Sequence, residues 1–140
     1  MTATWTSCYP VLCTPTLAAS RTFFVDHFGY EVTFETDWYV SLRRPGRPAY
    51  ELGLLEAGHP TLPEKYRQPT AGVLINIEVD DVDAEWRRLV LAAGLTPELP
   101  IRSEDFGQRH FILAEPGGAL VDVITTIPPN AEYAEAYVAS

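Results

Sequence analysis

Positive charge is scarce in this sequence. Lys and Arg together number 10 against 19 Asp and Glu, giving a formal charge of −9 and a pI of about 4.6. Nucleic-acid recognition needs a basic footprint, so nucleic acid is not expected as a partner, and an anionic membrane surface is equally unsuited. No apolar run approaches the length of a membrane span, and no basic-then-apolar leader opens the chain, so the expected location is the cytoplasm. Cysteine occurs twice, as Cys8 and Cys13. On one strand that odd spacing puts the two on opposite faces, where they do not readily bridge, and the expectation is two buried thiols in a reducing compartment. Nucleophile motifs, a Gly-rich phosphate cradle and a Cys-x-x-Cys pair are also missing, which argues against a covalent hydrolase or a nucleotide enzyme.

Apolar residues make up 46% of the chain and charged residues 21%. That balance is globular, and the length suits a single domain over residues 1–140.

The chain repeats itself. VLCTPTLAASRTFFVDHFGY and INIEVDDVDAEWRRLVLAAGL each run strand, turn, helix, glycine. Thr16 aligns with Asp81 and Gly29 with Gly94, an offset of 65. RPGRPAYELGLL and EPGGALVDVIT close the two halves and align Glu51 with Asp122, an offset of 71. The difference places six extra residues in the second half, near IRSEDFGQ. Each half reads β-α-β-β-β. Val73, Ile75, Ile77 and Val79 alternate with Leu74, Asn76 and Glu78, the period of a strand with one face on a core. Val82, Trp86, Leu89, Val90 and Ala93 then recur at helical spacing, with Asp81 as N-cap and Gly94 as stop. In the first half Thr16 takes the cap position, Leu17, Phe24 and Phe28 form the stripe, and Gly29 ends the helix. Further strands are expected over 31–36, 38–43 and 50–55, then 96–101, 109–114 and 119–125. Module one covers about 6–56, a Pro-rich linker 57–70, module two 71–127, and a C-terminal helix 130–138 puts Tyr133 and Tyr137 on one face.

The helix closing on His-Phe-Gly-Tyr and the final hairpin FGQRHFILAEPGGALVDVI resemble the vicinal oxygen chelate superfamily of glyoxalases, bleomycin-resistance proteins and extradiol dioxygenases. The resemblance covers nearly the whole chain. It implies an α+β fold of two tandem βαβββ modules forming a cup, ligand bound inside it, and commonly a homodimer. In metal-dependent relatives the first and last strands of each module supply the ligands, which the resemblance carries onto Tyr9, Glu51, Leu74 and Asp122. Leu74 has no donor atom and a neutral Tyr9 is a poor one. Two carboxylates alone make a weak site for metals that favour imidazole or thiolate. The expectation is therefore no cofactor; if a divalent metal binds at all, Glu51 and Asp122 hold it.

The candidate ligand-binding residues are Tyr9, Trp38, Glu51, Leu74, Asn76, Glu78, His110 and Asp122. Asn76 and Glu78 share the strand face of Leu74. Of the three histidines only His110 is placed on a strand that could face the cup, since His27 falls on the first helix and His59 in the linker. Trp38 and Tyr39 are adjacent and so face opposite ways. Phe106-Gly107, in the extra residues, is a candidate gate. The function these features point to is metal-independent binding of a small molecule, an aromatic or cationic natural product. A metal-dependent lyase, isomerase or dioxygenase with an altered site is the alternative, and a protein-binding module using the C-terminal aromatic helix is a third class.

Overall fold

A computed structural model describes residues 2–138. The first module runs β1 (Val11–Thr14), α1 (Leu17–Phe28), β2 (Glu31–Glu35), β3 (Tyr39–Arg44) and β4 (Tyr50–Glu56). The second runs β5 (Leu74–Glu78), α2 (Val82–Trp86), β6 (Leu99–Glu104), β7 (Gln108–Ala114) and β8 (Leu120–Thr126), with α3 (Ala131–Ala134) after it. The sheets are ordered β1-β4-β3-β2 and β5-β8-β7-β6, and in each the first strand pairs parallel to the last. The architecture is α+β, two tandem βαβββ modules. Two compact units result: residues up to Ala71 together with Glu115–Ala119, and Gly72–Ala114 together with the chain from Leu120 onward.

Each helix covers one face of its own sheet. Leu12, Val40, Leu42, Leu52 and Leu54 are almost wholly buried and lie at paired positions on β1, β3 and β4. Phe23, Phe24 and Phe28 of α1 pack there, with Phe23 and Phe24 edge-on at 5.3 Å. In the second module Val121, Val123, Phe111 and Leu113 take that role under Val82 and Leu89. Trp86 packs edge-on against Phe111 at 5.3 Å, as its place on the helical stripe predicts.

The helix boundaries follow local chemistry. Gly29 (φ 72°) and Gly94 (φ 77°) end the two helices in the left-handed region, which L side chains rarely adopt. Asp81 caps α2, its Oδ1 accepting the Ala84 N–H at 3.1 Å. Thr16 does not do the same: it sits at the cap position, but its side chain makes no capping bond, and its Oγ1 lies 3.4 Å from that of Thr14. After Trp86 the second helix widens into a π-helical segment, Arg87–Ala92, where the Ala93 N–H reaches Arg88 O. That wider turn leaves Leu89 buried and Ala93 exposed, so the stripe read from the sequence is cut short.

Three further expectations are corrected. β6 starts at Leu99 rather than three residues earlier, because Pro97 has no N–H to donate and pairing begins with the Glu98 N–H on Ile112 O. The C-terminal helix shrinks from 130–138 to Ala131–Ala134, and Tyr137 lies beyond it, its hydroxyl donating to Phe106 O at 2.8 Å. The thiols are not both buried. Cys8 precedes β1 and is exposed, and Cys13 is half-buried. The linker is also more tied than its composition suggests: Thr70 exchanges backbone and side-chain hydrogen bonds with Cys13, and Glu64–Tyr66 forms a 3-10 turn.

Candidate functional site

The strand register decides which side chains share the open face of each sheet, the one away from the helix. On the second sheet Leu74, Asn76 and Glu78 of β5 pair with Leu120, Asp122 and Ile124 of β8. Asp122 pairs in turn with Ile112, Ile124 with His110, and His110 with Arg102. Directly paired residues point to one side, so the expected grouping of Leu74, Asn76, Glu78, His110 and Asp122 is met. Leu74, Asn76 and Glu78 are exposed, while His110 and Asp122 are each only 5% exposed.

At the buried end a row of charged side chains crosses three strands. His110 Nδ1 lies 2.8 Å from Asp122 Oδ1, and His110 Nε2 lies 2.8 Å from Glu104 Oε2. The same Glu104 oxygen accepts from Arg102 Nε at 2.8 Å. Ionised carboxylates only accept, so with Glu104 and Asp122 both ionised each ring nitrogen donates and the imidazolium is the form these partners favour. Two positive and two negative groups then balance. Burial works against the charged ring, but the hydrogen bonds and charges of Glu104 and Asp122 outweigh it and hold His110 above the ordinary imidazole value. Burial raises the Asp122 carboxyl, with His110 pulling the other way. The bond from His110, followed by that from Arg102, holds Glu104 below the usual carboxylate range. Phe106, in the turn between β6 and β7, presents its ring to His110 at 6.4 Å and to Tyr133 at 6.3 Å.

The open face of the first sheet carries Tyr39, Ser41 and Arg43 of β3 beside Glu51, Gly53 and Leu55 of β4. The Tyr39 ring lies over Gly53, where a Cβ would collide with its hydroxyl. Burial and the neighbouring Tyr9 both raise the Tyr39 hydroxyl's pKa. Tyr9 itself precedes β1 rather than lying on it. Glu51 is exposed and accepts from Ser7 Oγ at 2.5 Å. Trp38 is not the aromatic of this face: it stacks on the His59 ring at 3.9 Å and 10°, and Tyr39 takes the open position.

Glu51 and Asp122 both lie on faces away from their helices, but they are not equivalent. With the helix caps aligned at an offset of 65, Val11 corresponds to Asn76. Val11 pairs with Gly53 and Asn76 with Asp122, so Gly53 is the counterpart of Asp122, an offset of 69. The matched Pro-Gly turns mislead because loop residues can slide while paired strands cannot.

These residues do not fit a resident metal. Leu74 offers no donor, Asp122 is engaged by His110, and both ring nitrogens of His110 are engaged by carboxylates. Among the described residues, no three His, Cys, Asp or Glu side chains gather as a ligand set.

Glu104 and Glu115 escaped the sequence reading. Glu104 had a weak signal, an acidic residue two positions from Arg102 in a strand, but its meeting with His110 depends on register. Glu115 is 2% exposed and belongs to the first unit. Its Oε2 accepts from Ser20 Oγ at 2.7 Å and its Oε1 from the Ala119 N–H at 3.1 Å, while Ser20 lies 2.8 Å from Thr14 Oγ1. Its signal was a lone acid between ILA and PGG.

Solved structures match this fold closely. A glyoxalase/bleomycin resistance protein/dioxygenase from Nocardioides superposes with a TM-score of 0.71 at 20% identity, over 90% of this chain and 87% of that one. The bleomycin-binding protein of Streptomyces verticillus, complexed with copper(II)-bleomycin, gives 0.61 at 21% identity, covering 87% and 97%. An antibiotic binding protein from Streptomyces sp. CB03234 gives 0.68 at 17% identity, covering 90% and 99%. No curated protein matches the sequence. The model of one family matches residues 8–123, so the chain belongs to the Glyoxalase/Bleomycin resistance protein/Dioxygenase superfamily.

Proposed function

We propose that the chain binds a small organic molecule on its open sheet faces, without a metal. The observation that carries this reading is the state of His110. Among the described residues it is the one histidine on those faces, and both of its ring nitrogens are committed to carboxylates rather than offered to a cation. Leu74, half-exposed on the same face beside Asn76 and Glu78, supplies an alkyl wall where metal-dependent relatives place a donor. Aromatic and acidic groups, Tyr39 and Glu51 on the first sheet and Tyr9 just before it, suit an aromatic or cationic ligand. The bleomycin-binding and antibiotic-binding neighbours support small-molecule binding as the class of activity.

The test is a thermal-shift screen of small molecules with and without divalent cations, followed by titration of a hit into Leu74→His. The variant should weaken ligand binding, since a polar ring intrudes on an apolar wall, and should raise affinity for divalent metal. Stoichiometric metal in protein purified without chelator, lost in Glu51→Ala or Asp122→Ala, would replace this reading with the metal-dependent one. Self-association as a homodimer belongs to the same proposal. Sedimentation showing only a 15.6 kDa species at micromolar concentration would remove it.

A further inference from the structure

Three hydrogen bonds tie the C-terminal segment after β8 to the turn between β6 and β7. The Ile127 N–H donates to Gly107 O at 2.9 Å, the Asn130 N–H to Asp105 O at 2.9 Å, and the Tyr137 hydroxyl to Phe106 O at 2.8 Å. Every residue of that turn is thus held through its carbonyl. Gly107 has φ 110°, and a Cβ there would meet Tyr137 Oη at 2.9 Å and Ile127 O at 3.0 Å, so the two segments are in close contact. The turn starts one residue after Glu104, whose carboxylate sits on His110 Nε2, and it carries the Phe106 ring that faces His110. Along this face exposure changes sharply: Leu74 is 47% exposed, whereas His110 is 5% exposed and Ile124 fully buried.

We propose that residues 127–138 form a strap that holds the Phe106 turn closed over His110, and that its release opens the His110 end of the sheet face to ligand. Closed, the ring is fixed between two carboxylates under Phe106. Open, the Phe106 ring withdraws with the turn, the Glu104 carboxylate at the turn's edge is freed to part from the ring, and His110 Nε2 becomes a group that a ligand can contact. The proposal rests on the reading of this face as the ligand face, but its test uses no ligand, so the two can fail separately. Tyr137 and Tyr133 act here as positioning residues: one bonds the turn's carbonyl and the other supports the Phe106 ring.

The experiment compares full-length wild type with Tyr137→Phe and with the Tyr133→Ala/Tyr137→Phe double variant. Diethyl pyrocarbonate acylates an accessible neutral imidazole, and mass spectrometry reads its rate at each histidine at one fixed pH. Amide exchange at Ile127 and Asn130 reports strap release. Each lost contact should speed both exchange and His110 labelling roughly five-fold, while His59, in the other unit, keeps its rate. Fast exchange at both amides with unchanged His110 labelling would overturn the proposal, because the strap would then be open without uncovering the ring. Unchanged exchange in the double variant would overturn it equally, since these contacts would not be what holds the turn.

Discussion

His110 and Asp122 lie on neighbouring antiparallel strands, diagonal rather than opposite, with Nδ1 and Oδ1 2.8 Å apart and both residues nearly buried. Asp122→Asn keeps the shape and an acceptor but removes the charge. The imidazolium then loses one of its two counter-charges in a place where water cannot replace it. The His110 ring should therefore titrate at lower pH in the variant, read by NMR.

The row of charges also sets how stability varies with pH. His110 has its folded pKa raised above 6.5, so its contribution is fully present below the unfolded value and is lost as pH rises through the folded one. Asp122, also raised, acts in the same direction, because ionising it costs more in the folded chain. Glu104 is lowered, so its contribution is present above its ordinary value and lost as acid protonates it. Unfolding free energy should therefore be greatest in mildly acidic solution, between the Glu104 and His110 transitions, and fall across neutrality. His110→Gln should flatten the upper limb. A wild-type profile that rises through neutrality would contradict this assignment of charge.

Buried Glu115 depends on a hydroxyl and a backbone N–H, with no cation among its bonds. Ser20→Ala deprives Oε2 of its donor and should cost about 1–3 kcal/mol. Gly117→Ala should cost a similar amount by crowding Thr14 Cβ, which an added methyl would meet at 2.7 Å. In a double-mutant cycle, Ser20→Ala and Glu115→Gln should prove strongly non-additive. Additive losses would mean that the bond contributes nothing of its own.

The two helix starts should respond differently to the same substitution. Asp81→Ala removes a capping acceptor and should destabilise by about 1 kcal/mol. Thr16→Ala removes a hydroxyl that caps nothing and should cost clearly less. Equal losses in thermal denaturation would show that the Thr16 side chain does cap in solution.

What the sequence determined by itself is whatever short-range chemistry controls. Alternation along 73–79 marked β5 and sorted Leu74, Asn76 and Glu78 from the core face. The glycines at 29 and 94 ended the helices, since few other residues accept a positive φ. Order and repetition of these local signals were enough for two βαβββ modules. The tertiary structure alone decided which distant residues meet. Glu104, His110 and Asp122 come from three strands, and a slide of one residue would turn a carboxylate to the opposite face. Gly53 rather than Glu51 stands where Asp122 stands, because the parallel pairing with the first strand, not the spacing from a Pro-Gly turn, fixes that position. Tyr137 reaches Phe106 only because the terminal helix stops at Ala134 and frees the chain to lie against the turn. No local pattern encodes these meetings, since each is a cross-strand or loop-to-tail contact whose geometry exists only once the sheet has formed.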